Sequence, residues 1–272
     1  DYEQENNTSG NGKFSVDNKI VPYAALIYDL NENFSTYASY TEIFNPQTTT
    51  DISGSVLKPV EGEAYETGIK GEFYDGRLNA SLAFFRIYQV GNGIDDVASG
   101  MPCGGNTGYC KIAAGKNRSQ GFELEISGEV LPGWNVSGGY TYNTTEYLND
   151  PNNQGNAVRT TDPKRMLKLF TSYRLPGELD AWTIGGGVQA QSDIYSKATA
   201  SSRGVNADAV ASQSGYAVYN AMVNYRFNQH YSLQLNANNL FDKKYYRQVA
   251  ATPTGYYWGD PRNVSVTLRG TF

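Results

Sequence analysis

Along most of the chain, apolar and polar residues alternate one for one. From Gln120 to Val130, the residues Phe122, Leu124, Ile126, Gly128 and Val130 fall on one face, and Glu123, Glu125, Ser127 and Glu129 on the other. Between Trp134 and Asn143, the set Trp134, Val136, Gly138, Tyr140 and Tyr142 opposes Asn135, Ser137, Gly139, Thr141 and Asn143. The closing stretch sets Val264, Val266, Leu268, Gly270 and Phe272 against Asn263, Ser265, Thr267, Arg269 and Thr271. A period of two places successive side chains on opposite faces of a strand, so each segment reads as a strand with one apolar and one polar face.

Extended over the whole sequence, the pattern predicts eleven strands at about 20–30, 34–44, 63–73, 77–90, 117–130, 134–148, 165–175, 182–196, 215–227, 231–241 and 262–272. Most reach ten residues, longer than the ~5–6 usual in soluble sheets and matched to the ~9–11 that cross a bilayer at a tilt. Their connections alternate in length. Short ones at 31–33, 74–76, 131–133, 176–181 and 228–230 are interleaved with long polar ones at 45–62, 91–116, 149–164, 197–214 and 242–261. Short ends on one side and long ends on the other are the asymmetry of outer-membrane barrels. Phe34, Phe73, Trp134, Tyr173, Trp182, Phe227, Tyr231 and Phe272 gather beside the short turns, where an interfacial aromatic girdle sits.

The expected fold class is therefore all-β, a transmembrane antiparallel up-and-down β-barrel. On this parity Lys168, Arg174, Arg226 and Arg269 face the lumen, as do the carboxylates of Glu123, Glu125 and Glu129, which a solvated wall explains without catalysis. Arg86 breaks the rule: either it lies high enough for the penalty to vanish, or a bulge resets the register. Bacterial single-chain barrels have an even number of strands, so the odd count makes the chain an expected piece of a larger barrel, whose lone edges at 20–30 and 262–272 each need a partner strand.

Composition and charge adjust this picture. The chain has 272 residues with 22 Tyr and 29 Gly against 3 Met and 1 His, a mixture that favours strands and turns. Its net charge of -5 argues against nucleic acid as a partner, because no basic excess is available to displace counterions from phosphates. The mean hydropathy of -0.52 does not exclude a bilayer, since alternation hides apolar content from any window average. Residues 1–18 are polar and carry no secretory signal. Cys103 and Cys110 bracket a Gly-rich stretch that reads as a small disulfide-closed loop, with a metal pair as the competing reading. The single histidine, His230, falls in a short turn, and no nucleophile has an adjacent base, so an enzyme is not expected.

Several phrases recur in an order that carries more weight than any one of them. They are Lys58-Pro59-Val60-Glu61-Gly62, Tyr65-Glu66-Thr67-Gly68-Ile69-Lys70-Gly71-Glu72, Ser119-Gln120-Gly121-Phe122-Glu123-Leu124-Glu125 and Leu131-Pro132-Gly133-Trp134. Pro163-Lys164-Arg165, Tyr173-Arg174-Leu175-Pro176-Gly177, Asn238-Asn239-Leu240-Phe241-Asp242-Lys243-Lys244-Tyr245-Tyr246 and the terminal Phe272 follow. Together, from about residue 20 onward, they resemble the C-terminal half of the TonB-dependent receptors for ferric siderophores, above all the branch taking up ferric hydroxamates and pyoverdines.

That resemblance implies that residues 1–272 are the C-terminal part of a barrel of roughly 22 strands, with the plug and the energy-coupling segment lying N-terminal. It implies a transporter in the outer membrane of a Gram-negative bacterium that binds a ferric siderophore and imports it with energy from TonB. No cofactor is implied, because iron arrives inside its ligand. Phe272 would be read by the barrel-assembly machinery, and lipopolysaccharide would surround the rim at Asp242-Lys243-Lys244. Ligand contacts are expected from aromatic and cationic residues of the long loops and upper lumen: Tyr109, Tyr195, Arg203, Tyr216, Arg247, Tyr256, Tyr257 and Trp258. A passive porin, and more distantly a soluble β-sandwich adhesin or lectin, are the competing readings.

Overall fold

The computed structural model describes residues 2–6, 12–16, 19–99, 109–202, 205–250 and 255–271. A two-stranded hairpin, β1 (Tyr2–Asn6) and β2 (Gly12–Val16), precedes the main sheet. The next strands are β3 (Tyr23–Asp29), β4 (Phe34–Asn45), β5 (Val60–Phe73), β6 (Leu78–Asp95), β7 (Lys111–Leu131), β8 (Trp134–Asn149), β9 (Arg165–Arg174) and β10 (Trp182–Gln191). A second hairpin follows, β11 (Ile194–Ser202) with β12 (Val205–Gln213). The chain then continues through β13 (Tyr216–Arg226), β14 (Tyr231–Asn238), a miniature pair β15 (Tyr246–Gln248) and β16 (Tyr257–Trp258), and β17 (Asn263–Gly270).

Eleven of these strands make one antiparallel meander in the order β3-β4-β5-β6-β7-β8-β9-β10-β13-β14-β17. They are the eleven strands of the alternating pattern. Their ends differ most in two regions. The segment at 182–196 stops at Gln191, and Ile194 opens the separate β11–β12 hairpin, so the long segment at 197–214 is not irregular. Likewise β6 and β7 continue pairing up to Asp95 and Lys111, beyond register shifts at Val90 and Asn92, which takes up both ends of the segment at 91–116. Gly91 sits at φ 89 there, and the shift it permits puts the alternation out of phase, which hides the extension from a period-two reading.

The short connections are built from local hydrogen bonds. Asn31 Oδ1 accepts from the backbone N–H of Asn33 and Phe34, and Asn228 Oδ1 accepts from those of His230 and Tyr231, two Asx turns of the same design. Tyr74 and Asp75 both take φ 56, the left-handed pair a tight hairpin needs. Glu129 Oε1 accepts from Gly133 N–H, and its other oxygen lies 3.3 Å from Arg77.

Register carries the apolar face unbroken across the sheet. Leu82, Leu124, Tyr140 and Leu167 lie on one row, and Trp134, Tyr173, Ile184, Val223, Leu235 and Val266 on another. Phe34 meets Phe73 edge-on at 5.5 Å, and Trp182, Tyr225 and Phe227 form a chain at 4.5 and 5.1 Å, so the aromatic belt beside the short turns is present. Trp134 donates from Nε1 to Thr171 Oγ1 at 2.7 Å, which satisfies its polar end. A second belt runs through Phe84, Phe122 and Tyr142, with Tyr40 against Tyr65 alongside. On β7 the belts are about ten residues apart, ~33 Å along the strand or ~25 Å in height at a tilt of about 40°, the height of a barrel's apolar band.

Arg86 stays on this apolar face, because the register is unbroken through Val90, and its Nε donates to Gln120 Oε1 at 3.0 Å. It lies one row above the Phe84–Phe122 belt, so height rather than a bulge accounts for it. Phe272 lies outside the described residues.

Candidate functional site

The end of the sheet opposite the short turns carries the long connections, and Asn239 organises the last of them. It follows β14 at φ 49, is 3% exposed, and holds the loop through its side chain and its backbone N–H. Its Oδ1 accepts from Lys243 N–H at 2.7 Å, its Nδ2 donates to the carbonyls of Lys243 and Asp260 at 2.8 and 3.0 Å, and its own N–H donates to Asn220 Oδ1 at 3.0 Å. One buried amide therefore ties both legs of the 239–262 loop to β13. Asp242, at φ 51, adds a bond from Arg262 N–H. These are the polar members of the Asn238–Tyr246 motif, and their part is to fold the loop.

Above this staple the aromatic residues divide into two groups. Tyr216, lumen-facing by register at the top of β13, stacks on Tyr245 with ring centroids 4.2 Å apart and donates its phenol to Gln191 Oε1 at 3.0 Å. Arg247 lies near enough to interact electrostatically with the Tyr216 phenol. Gly259 has no room for a side chain, since a Cβ there would meet the Tyr245 ring at 2.0 Å. In the second group Tyr246 pairs with Trp258 across β15–β16 at 4.2 Å and meets Tyr256 edge-on at 5.1 Å.

Tyr246 also packs on a small core of Ile194, Ala211 and Val249, which joins the β11–β12 hairpin to the last loop. Hydrogen bonds extend the connection: Tyr246 N–H donates to the Gln213 side-chain Oε1, and Tyr195 N–H to the carbonyl of Thr160, each at 2.8 Å. The connections after β8, β10 and β14 thus form one packed crown. Trp258 remains 62% exposed on it, and Tyr256 and Tyr257 are exposed beside it.

A polar cavity of about 290 Å³ lies at the base of the crown, on the lumenal side of β6–β8. Gln89, Asn117, Ser119, Asn143 and Thr145 line it, and Arg159 supplies charge at its rim. Asn117 Oδ1 is buried without a partner. In the loop after β4, Asp51 Oδ1 accepts from the Ser53 hydroxyl and from the N–H groups of Ser53 and Ser55; the Ser53 hydroxyl and these amides hold its carboxyl below the usual range. Among the described residues no group of three or more His, Cys, Asp or Glu is placed to hold a metal ion.

Of the residues singled out from the sequence, Tyr216 and Arg247 come together, and Tyr256 and Trp258 meet around Tyr246. Tyr257 stands exposed beside them, and Tyr195 lies on β11 with Lys197 5.5 Å over its ring. Tyr109 is half-buried at the far end of the β6–β7 extension, next to Cys110, which is buried and disulfide-bonded. Arg203 and Cys103 lie outside the described residues. Sequence reasoning missed Tyr245, Tyr246 and Gln191. The adjacent pair Tyr245-Tyr246 at the end of a polar motif is the available signal.

The family model described as TonB dependent receptor-like, β-barrel matches residues 1–240, beginning earlier than the stretch from about residue 20 that the motifs mark out. The chain is 40% identical over 274 residues to the ferric-pyoverdine M114 receptor PbuA of Pseudomonas sp. strain M114, covering 100% of this chain and 32% of that protein. It is similar to the crystal structure of the outer-membrane ferripyoverdine receptor of Pseudomonas aeruginosa bound to ferripyoverdine, with a TM-score of 0.83 and 35% identity over 95% of this chain and 34% of that one. The alcaligin outer-membrane receptor FauA of Bordetella pertussis gives a TM-score of 0.67 and 38% identity over 84% of this chain and 36% of that one. The chain spans about a third of the length of the curated relatives it matches. With its meander of long strands, paired aromatic belts and loop crown, the chain belongs to the β-barrel family of the TonB-dependent receptors.

Proposed function

We propose that residues 1–272 form the C-terminal part of the barrel of an outer-membrane receptor that binds a ferric siderophore and imports it with energy delivered through TonB. The observation that carries this reading is the 40% identity along the whole chain to a ferric-pyoverdine receptor. The geometry supports it physically. A continuous apolar face bounded by two aromatic belts suits a lipid-facing wall. The crown offers Tyr216, Tyr256, Tyr257, Trp258 and Arg247 to a chelate that brings its own iron ligands, so the protein need supply only aromatic surface, hydrogen bonds and charge. Cys103 and Cys110 would close the tip of the β6–β7 extension, and Phe272 would serve the assembly machinery, with lipopolysaccharide around the rim. The wall and crown have no assigned catalytic role.

The test is uptake of radio-iron complexes by a strain lacking and then regaining the full-length gene, with ferripyoverdines as the first probes. Uptake restored by the gene and abolished by loss of TonB is the expected result. Equal entry of small solutes with and without TonB would instead mark a passive channel.

A further inference from the structure

The polar face of the sheet is divided laterally by charge. On the β3–β8 half it carries Glu66, Glu72, Glu123, Glu125 and Glu129 with the cation Lys70, Asp29 lies at the edge, and Arg77 of the turn before β6 pairs with Glu129 at 3.3 Å. On the other half the strands β9, β10, β13, β14 and β17 contain no carboxylate, and their polar face carries Lys168, Arg174, Arg226 and Arg269, all exposed. Arg226 is paired to Asp180 of the turn at 3.2 Å.

The cations are also ordered in height. Tyr216 and Gln191 occupy one row under the crown, and Lys168, opposite Gln189, sits on the next row down. Arg174 follows six residues further along β9, about 20 Å along the strand, and Arg226 and Arg269 flank Ser232 on the last row before the short turns. A column of positive charge therefore descends from the aromatic site to the opposite mouth, Arg226 paired at its foot to Asp180, beside the carboxylates of the neighbouring strands.

We propose that this cationic half of the lumen is the track along which a negatively charged chelate crosses the barrel. The inference rests on the receptor reading given above and adds the route and the sign of the cargo's charge. Against a low-dielectric protein wall, charge of one sign strengthens the local field, so an anion is drawn to the β9–β17 side and repelled by Glu123 and Glu125. Spaced single cations, rather than one dense cluster, let an anion bind weakly at each level and move on.

The experiment uses the full-length receptor carrying Lys168→Gln, Arg174→Gln and Arg269→Gln together, with radio-iron ferripyoverdine as the probe. Surface binding is measured in the cold, uptake is measured warm, and exclusion of vancomycin reports whether the lumen stays plugged. Binding within about two-fold of the parent, a maximal uptake rate reduced roughly five-fold or more, and intact vancomycin exclusion are expected, a split that assigns the loss to passage rather than capture. Exchanging the cations for one another, Lys168→Arg with Arg174→Lys and Arg269→Lys, restores the rate, and Lys168→Glu lowers it further. Unchanged uptake in the neutralised receptor overturns the proposal, and so does a loss of uptake accompanied by vancomycin leakage, which would assign these residues to seating a plug. A parent receptor that binds no ferric complex would overturn the receptor reading and this one with it.

Discussion

Tyr216 and Tyr245 stack with centroids 4.2 Å apart and 30° between their planes, and the Tyr216 phenol is held by Gln191. The pair fastens the last long loop to the top of β13 at the point where the lumen meets the crown. Tyr245→Ala removes a stacked aromatic contact worth about 0.5–1.5 kcal/mol and frees the loop that presents Trp258. Tyr216→Phe keeps the ring and loses one hydrogen bond. In intact cells the 245–259 segment of the full-length receptor should be cleaved by added protease several-fold faster in Tyr245→Ala and near the parental rate in Tyr216→Phe. Equal protection in both variants would mean that the stack does not hold the loop.

Asn239 gives a sharper prediction because two separable effects meet there. Its buried amide serves three partners beyond its own backbone, and its φ of 49 disfavours a Cβ. Asn239→Gly loses the amide but accepts the backbone angle, so it should cost about 2–4 kcal/mol through carbonyls and an N–H left unpaired. Asn239→Ala should cost ~1 kcal/mol more, since a Cβ is added in the left-handed region. The midpoint of heat-modified gel mobility of the purified receptor ranks the three proteins. An alanine variant as stable as the glycine one would refute the backbone part.

Gly259 and Tyr245 should couple. A Cβ at Gly259 would lie 2.0 Å from the Tyr245 ring, and the obstructing atoms belong to a side chain that substitution can remove. Gly259→Ala alone should loosen the loop as much as Tyr245→Ala. The double variant should be no worse than Tyr245→Ala, which is strong non-additivity for a pair in direct contact. Additive losses in a protease-protection cycle would show that Gly259 is needed for something other than space.

How far these features could be read from the residues alone depends on the kind of interaction. Strands such as β7 and β8 were legible because their two faces meet different solvents, so Phe122 and Glu123 had to differ. The β11–β12 hairpin was not. Its sequence, Ile194 to Gln213, is mostly small and polar, and among the described residues its buried Ile194 and Ala211 pack with Val249, far along the chain. The candidate site divided in the same manner. Tyr256 and Trp258 could be found because aromatics between glycines in a long loop are conspicuous. Tyr245 and Gln191 act through partners that only the folded crown supplies.

Asp51 makes the loop after β4 sensitive to acid. Bonds from the Ser53 hydroxyl and the amides of Ser53 and Ser55 lower its pKa in the folded chain. The ordering it provides is therefore complete above the unfolded carboxyl value of about 3.9 and is lost as pH falls through the lower folded value. Hydrogen exchange should show the Ser53 and Ser55 amides equally protected between neutral pH and about pH 5, with protection disappearing in stronger acid. Asp51→Asn should remove the pH dependence. Protection that falls between neutral pH and about pH 5 would point to another group.

Arg86 tests where the bilayer lies. It sits on the apolar face one row above the Phe84–Phe122 belt, bonded to Gln120, while Leu124 lies one row below that belt on the neighbouring strand. If the belt marks the upper edge of the hydrocarbon, a cation at Arg86 costs ~0–1 kcal/mol, and one near the midplane costs ~2–4 kcal/mol. Arg86→Leu should then leave stability almost unchanged. Leu124→Arg should be costlier than Arg86→Leu, and Ile126→Arg, one row nearer the midplane, costlier still. The ordering follows from depth alone, because all three positions are on strands of the same sheet and face the same way. Reversible unfolding of the full-length receptor in lipid vesicles measures it, and a Leu124→Arg variant as stable as Arg86→Leu would place the belt, and with it the whole band, outside the membrane.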